Sequence, residues 1–566
     1  MLRSCALGLS VLTVLACAPA RTAPPQTAPA PVVARPSPAP VLPESVVKAS
    51  PAPSRPPAPG EAPRDWQLLD EWIDHLPGIS ALRAERELLA GRQPKRTVIV
   101  AVIDGGVDTT HADLRANLWT NPKEVAGNGK DDDGNGYADD VHGWNFIGGR
   151  DGRDVRYDAL EVTRLYARCT AGATATRAAP PLPPEPQCRQ ITADYNKARS
   201  EAEQTLQQVR MAGDLLARAT QLLTKALGTD SLTTQKVSAL QPTSAEQQQA
   251  QAIYLQLAAN HITPTAVADA KKELEAQVTY GLNPQYDPRA IVGDDYANPT
   301  ERRYGNPDVM GPDAKHGTHV SGIIGAARTT GRSVVGIAPA VRIMMIRAIP
   351  DGDERDKDVA NAIRYAVDNG AQVINMSFGK GYSPYKSAVD DAVKYADSRG
   401  VLMIHAAGND GEDLGKKPSY PTPAYASGGR ARNWIEVGAS SWNDADSLAA
   451  SFSNYGHDLV DVFAPGVDIL STIPGGGYER ESGTSMASPV VTGLAALLMA
   501  YYPELAAADV KRIILASATS HSSQMVVRPG AKDGEKVPFG SLSVTGGIVN
   551  AYEAVRMAER EKAAKP

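Results

Sequence analysis

The chain has 566 residues, of which 42% are hydrophobic and 22% charged, with a formal net charge of −6. That balance marks a mostly globular protein, with room for one large α/β domain plus appendages or for roughly two to three ordinary domains. Acidic residues are in excess and no basic stripe is present, which excludes nucleic acid as the main partner.

The first seventeen residues, MLRSCALGLSVLTVLAC, join one arginine to a short apolar run. The run is too short to cross a bilayer and reads as an export signal. Its end, VLAC, resembles the lipobox of bacterial lipoproteins. That resemblance implies an acylated Cys17 as mature N-terminus, a membrane anchor through its lipid, and residence in the cell envelope. Cleavage after Ala18 or Ala20 is the competing reading, since A-C-A and A-P-A are also small-residue sites, and it leaves the protein freely secreted. Residues 18–63 are dominated by Pro and Ala. They cannot bury a core and read as an extended tether of about 3 Å per residue. Residues 64–94 contain DEWIDHLPGISALRAERELLAG, which reads as helix-forming chain packed on the domain that follows.

That domain is assigned to residues 95–560, with 561–566 as a tail. It opens at RTVIVAVIDGGVD, an apolar run closed by an acid and glycines, as in a buried parallel strand that feeds a functional loop. Next comes GNGKDDDGNGYADD, residues 127–140. Asp131, Asp133 and Asn135 fall at alternate positions, Gly136 permits a sharp turn, Tyr137 offers a backbone carbonyl, and Asp139 takes the ninth place of a calcium loop. The twelfth place is His142, so a complete EF-hand is absent. Five acidic side chains within residues 131–140 repel one another unless a cation neutralises them, and structural calcium is the expectation; the alternative is a solvated turn.

Residues 156–283 read as an insertion. Leu206, Val209, Leu216, Leu223 and Leu227 recur at helical spacing, and Thr263-Pro264 starts a second helix with proline in its first position, giving a helical hairpin. Cys5 leaves with the signal and Cys17 takes the lipid, so Cys169 and Cys188 remain. Their spacing fits no zinc or redox motif, and in an oxidising compartment the expectation is a disulfide near the base of the hairpin, worth roughly 3 kcal/mol.

Further apolar runs follow at 341–349, 371–379, 401–409, 434–440 and 459–466, with helical patterns at 357–369 and 384–399 between them. Strand alternating with helix predicts a mostly parallel sheet whose site lies beyond its carboxyl ends. Asp104, Ser377 and Asn409 stand at such ends, and His316 opens the glycine-punctuated helix HGTHVSGIIGAA. Last, SGTSMASPV leads into an apolar helix over 486–502. Its serines and threonine are either a cap or, at the positive end of a buried helix, the setting of a nucleophile at Ser485.

Taken together, VIDGGVD, HGTHVSGIIGA, AAGND and GTSMASPVVTG resemble the signature blocks of the subtilisin-like serine proteases, the subtilases. The resemblance covers residues 95–155 and 289–560. It implies an α/β, three-layer sandwich with endopeptidase activity on polypeptides. Asp104, His316 and Ser485 would be the catalytic triad and Asn409 an oxyanion donor. Ser377, Phe378 and Gly379 would pair with the substrate backbone, with Ala406, Ala407 and Gly408 opposite. Tyr420-Pro421 resembles a family turn that holds a cis proline, and Gly105 stands where the family often has Ser or Thr. Residues 64–94 are too short for a folded inhibitory propeptide, so no large self-cleaved prodomain is expected. A monomer is expected. Two other classes stand beside the endopeptidase: a binding scaffold on a retired protease fold, and an esterase or transferase using the same serine.

Overall fold

The structure, a computed structural model, describes residues 62–171, 181–259, 262–327, 334–443 and 445–564. The export segment, Cys17 and all but the end of the Pro/Ala tether lie outside them.

Strands form where the apolar runs lie. They are β1 (Val98–Asp104), β2 (Gly143–Asn145), β3 (Val341–Arg347), β4 (Val373–Met376), β5 (Leu402–Ala406), β6 (Trp434–Ser440) and β7 (Val462–Pro465). A hairpin, β8 (Ile469–Ile473) and β9 (Gly477–Glu481), precedes the segment that carries Ser485. Near the C-terminus come β10 (Thr519–Ser520), the hairpin β11 (Met525–Val527) and β12 (Lys536–Pro538), and β13 (Gly547–Ile548). The main sheet has nine strands in the order β10-β13-β7-β6-β5-β4-β1-β3-β2, and only β10 is antiparallel to its neighbour.

Strand alternation sends side chains to two cores. Val98, Val100 and Val102 face one, Ala101 and Ile103 the other, as period two demands. The helices are α1 (Ala81–Glu87), α2 (Glu161–Ala171), α3 (Glu185–Leu227), α4 (Ala245–Ala259), α5 (Pro264–Ala276), α6 (Lys315–Gly325), α7 (Asp356–Asp368), α8 (Lys386–Ser398), α9 (Thr484–Tyr501), α10 (Ala507–Ala516) and α11 (Ala551–Ala564), with shorter turns between. Residues of α6, α9, α10 and α11 fill the first core, and α7 and α8 cover the second, so the architecture is three layers. Residues 561–564, expected as a tail, continue α11, because Ala558 and its neighbours keep that helix on the core.

Helix α9 is long and apolar enough to cross a membrane, but it is buried among the layers and serves as a core helix. Trp66 is fully buried and its indole N–H donates to Val467 O at 3.0 Å, which pins the segment before α1 onto the first core.

The insertion is a hairpin with a broken return leg. Leu206, Val209 and Leu216 of α3 pack on Leu257 of α4 and on Val267, Ala270 and Leu274 of α5. Thr263 caps α5 through a 3.1 Å bond from Ala266 N, with Pro264 at its first position. Cys169, in the last turn of α2, is disulfide-bonded to Cys188, in the first turn of α3.

Candidate active site

Asp104 ends β1, fully buried, and His316 sits in the first turn of α6 with its ring 16% exposed. The imidazole Nδ1 lies 2.9 and 2.8 Å from the two Asp104 carboxylate oxygens. The strand end and the helix meet because Gly317 has no side chain: a Cβ there would stand 2.2 Å from Gly106 O and 3.1 Å from Asp104 Cβ. Gly105 supplies the contact that its identity left open, donating its backbone N–H to Asp104 Oδ1 at 2.7 Å.

Ser485 is the second residue of α9. Its hydroxyl donates to Ser377 O at 3.2 Å, and the Ser377 hydroxyl donates back to Ser485 O at 2.9 Å. The second bond has a cause in sequence. Pro489 lacks the N–H that would bond the carbonyl four residues earlier, so the Ser485 carbonyl is satisfied by Ser377, just beyond β4, instead. Beneath it, Asn375 Nδ2 donates to Ser377 Oγ at 3.0 Å, while Ser488 and Thr492 donate to Asn375 Oδ1 at 3.1 and 2.8 Å. This buried polar network fixes the start of α9 to the end of β4.

The polar run before α9 does not cap it in the simple way. Ser482 Oγ accepts from Asp468 N and Thr484 Oγ1 donates to Asn409 Oδ1, which also accepts from Thr484 N at 2.8 Å. The cap therefore comes from Asn409, beyond β5. With Oδ1 so engaged, the Nδ2 end turns toward Gly483: a Cβ built there would lie 3.4 Å from Asn409 Nδ2 and 3.6 Å from Ser485 N.

His316, Ser485, Asn409, Ser377, Phe378, Gly379, Ala406 and Gly408 all line one cleft of about 1140 Å³; Ala407 is buried behind it. Lys380 continues the Ser377–Gly379 edge, exchanging backbone bonds with Tyr420 at 3.0 and 2.8 Å, and Tyr420-Pro421 is cis. Three other histidines are engaged elsewhere. His319 is buried, contacts Glu479 O at 3.0 Å and has its pKa lowered by desolvation; His405 pairs with Glu436 at 2.8 Å; His111 Nδ1 caps a one-turn helix at Asp113 N.

Two cleft supports escaped the sequence reading. Arg347, buried at the end of β3, donates to Gly105 O at 2.7 Å and to Asn145 Oδ1 at 3.1 Å, bracing the loop behind Asp104; desolvation pushes it down to about 10. Lys380 is buried with Glu161 Oε2 and Asp356 Oδ1 each at 2.8 Å and Glu354 O at 2.7 Å. A lone arginine inside IMMIRAI was a visible signal for the first. Lys380 had none, because Glu161 is 219 residues away.

In the acidic loop, carboxylate oxygens of Asp131, Asp133 and Glu124 lie within 4.8 Å of one another. Oxygen donors at that separation fit a calcium ion with 2.3–2.6 Å bonds. Glu124 lies upstream of the motif and was not anticipated. Asp139 does not join the group: at φ 57° it turns its carboxylate to Gly129 N at 2.7 Å and Asn128 N at 3.1 Å. Asn135 Oδ1 accepts from Tyr137 N at 2.8 Å, and the Tyr137 ring packs against Trp144 and Tyr365.

A mostly parallel sheet between helical layers, with a polar cleft at its carboxyl edge, defines the class as an α/β enzyme fold. Within that class the chain belongs to the subtilase family, whose model matches residues 95–535. It is 42% identical over 217 residues to a thermophilic serine proteinase of Bacillus sp. strain AK1, covering 38% of this chain and 48% of that one. Over 244 residues it is 37% identical to subtilisin BL of Lederbergia lenta, covering 43% of this chain and 77% of that one. The chain thus spans about half the length of the first relative. Among solved structures, the protease domain of PatA matches at 30% identity and a TM-score of 0.35, covering 44% of this chain and 82% of that domain.

Proposed function

We propose that the protein is a serine endopeptidase that cleaves polypeptides through Asp104, His316 and Ser485. The observation that carries this is the Asp104–His316 pair at 2.8 Å facing the same cleft as Ser485. With Nδ1 held by the carboxylate, Nε2 is the ring atom that takes the Ser485 proton, and attack requires that proton to turn from Ser377 O to the imidazole. Ser485 Oγ bonds the scissile carbonyl carbon and His316 passes the proton to the leaving amine as the C–N bond breaks; water, giving its proton to His316, then hydrolyses the acyl-enzyme ester, and the proton returns to Ser485 Oγ. Asp104 stabilises the imidazolium. Asn409 Nδ2 and Ser485 N donate to the carbonyl oxygen as it gains charge. Ser377–Gly379 holds the substrate as an added strand, with Ala406 and Gly408 opposite.

The test is labelling by a fluorophosphonate, followed by cleavage of a peptide library. Ser485→Ala should abolish labelling and lower kcat about 10⁶-fold, the size of the same loss in subtilisin. Peptidase activity surviving in folded Ser485→Ala overturns the assignment. Labelling without peptide cleavage favours an esterase or transferase, and no labelling favours a scaffold.

Calcium is proposed as a structural ion held by Glu124, Asp131 and Asp133, whose converging oxygens support it. When bound it neutralises the loop's charge and takes no part in bond cleavage. Envelope anchoring through an acylated Cys17 is proposed on the VLAC sequence alone; Cys17→Ser should release the protein from membranes, and an unacylated mature chain starting at Pro19 or Arg21 refutes it.

A further inference from the structure

The backbone that leads into Ser485 is held by a short connection outside every sequence motif of the site. Gly466, Val467 and Asp468 join β7 to β8. Gly483 N–H donates to Gly466 O at 2.7 Å, and Asp468 N–H donates to Ser482 Oγ at 2.9 Å. The two stretches of backbone are in close contact: a Cβ on Gly466 would stand 2.8 Å from Gly483 O and 2.7 Å from Ala439 Cβ. Ser485 N follows two residues after Gly483, in the first turn of α9, where an N–H has no partner within its own helix. Its direction therefore depends on where the connection holds Ser482 and Gly483.

The connection is held in turn by the segment that precedes α1. Trp66, fully buried, donates its indole N–H to Val467 O at 3.0 Å. Arg480 of β9 bridges the same region, donating through Nη1 to Asp468 O at 2.8 Å and through Nη2 to Ala62 O at 2.7 Å. Asp468 needs such support. It stands at φ 54°, in the left-handed region that side chains disfavour, and its Oδ2 accepts from Trp442 Nε1 at 3.0 Å. Trp66, Leu68 and Ile79 share the first core with Ile469 and Met486, so apolar packing anchors the segment beside these bonds. A chain of hydrogen bonds thus runs from Ala62 and Trp66, through Val467 and Asp468, to Ser482 and Gly483.

We propose that residues 62–69 act as a strap in which Trp66 is a positioning residue, fixing the Gly466–Asp468 connection and through it the direction of Ser485 N toward the oxyanion. This rests on the endopeptidase reading of the site. Trp66 itself touches neither substrate nor the reacting atoms. A group displaced by about 1 Å costs up to about 10²-fold in rate, so even a partial shift is measurable. The loss falls on the transition state, because the carbonyl oxygen gains its charge only there.

The test uses the full-length protein and a chromogenic peptide, well below the melting temperature. Trp66→Phe keeps an aromatic ring and loses the N–H, and Arg480→Met loses both bonds of the guanidinium. Leu89→Ala is the control for stability alone: it trims a buried side chain after α1 whose backbone bonds stay within residues 84–92. Trp66→Phe and Arg480→Met should each lower kcat about tenfold at unchanged KM and slow phosphonylation by a fluorophosphonate in parallel. Both should keep the wild-type pH profile, since Asp104 and His316 are untouched. Leu89→Ala should lower the melting temperature and leave kcat as it was. Wild-type kcat in folded Trp66→Phe, or an equal loss of kcat in Leu89→Ala, overturns the strap and leaves the endopeptidase reading standing. If Trp66→Phe does not fold, Arg480→Met decides by the same criterion. A wild-type protein that cleaves no peptide overturns both readings.

Discussion

Replacing Gly483 by alanine separates oxyanion stabilisation from folding. At φ 163° and ψ 161° the residue is in extended backbone that alanine adopts without strain. The new methyl would meet Asn409 Nδ2 at 3.4 Å, Ser485 N at 3.6 Å and Met486 Sδ at 3.7 Å, all ordinary contact distances. Folding stability should therefore move by less than about 0.5 kcal/mol. Catalysis should not escape so lightly. An oxyanion bonded to both donors stands about 2.9 Å from each, and the methyl carbon occupies the space in front of the same two atoms. Denying the oxyanion one donor costs about 10²–10³ in kcat, or about 2.7–4 kcal/mol. Steady-state kinetics on a chromogenic peptide, paired with a thermal melt, provide the assay. Phosphonylation should slow in parallel, since its oxygen enters the same hole. A Gly483→Ala enzyme that melts like wild type and keeps kcat within about threefold refutes the placement of the oxyanion at these donors.

Lys380→Met should destabilise the protein by about 3–5 kcal/mol, because buried Glu161 and Asp356 lose a partner cation, and Lys380→Met with Glu161→Gln should recover part of that loss; a single variant as stable as wild type contradicts it. Burial pushes the Glu354 carboxyl up to about 7, opposed by Lys380 and reinforced by Asp353. Its folded pKa lies above its unfolded one, so this contribution is full below the unfolded value of about 4.5 and falls, at up to about 1.4 kcal/mol per pH unit, as pH rises through about 7. Glu354→Gln should flatten the decline in melting temperature across that window, and an identical slope in the variant excludes Glu354 as its source. Chelator should lower the melting temperature and calcium restore it, with Glu124→Gln or Asp131→Asn blunting the response; a transition indifferent to both agents makes the loop a turn only.

The central strands were legible because a buried parallel strand must be apolar on both faces, and such runs have few other uses in a chain of this composition. Asp104, Ser377 and Asn409 were legible as polar ends of those runs. Short strands were not. β2 has three residues and β10 and β13 two each, and so little chain carries no period of its own; pairing to a long neighbour makes them strands. The α3 helix was visible through its leucines and the start of α5 through Thr263-Pro264, whereas α4 was not foreseen. Glu124 stayed hidden because a calcium-loop pattern counts forward from its first aspartate, whereas this carboxylate comes from upstream.

Polar residues inside apolar runs carry the remaining information, and the structure shows how it could have been extracted. Asn375 in VINMS and Arg347 in IMMIRAI stand in fully buried strands, where an unsatisfied amide or guanidinium costs several kcal/mol. Each must therefore meet partners at a place where other backbone or hydroxyl groups also need satisfying. Asn375 meets Ser377, Ser488 and Thr492 below Ser485, and Arg347 meets Gly105 behind Asp104. Both anomalies lie next to candidate site residues. Lys380 obeys the same rule but sits in the loop FGKGY, where a lysine is ordinary by sequence. Only the fold buries it, by closing the insertion's first helix over it. A charge buried by an insertion is thus invisible until the insertion is placed, and it then couples that insertion to the edge segment Ser377–Gly379.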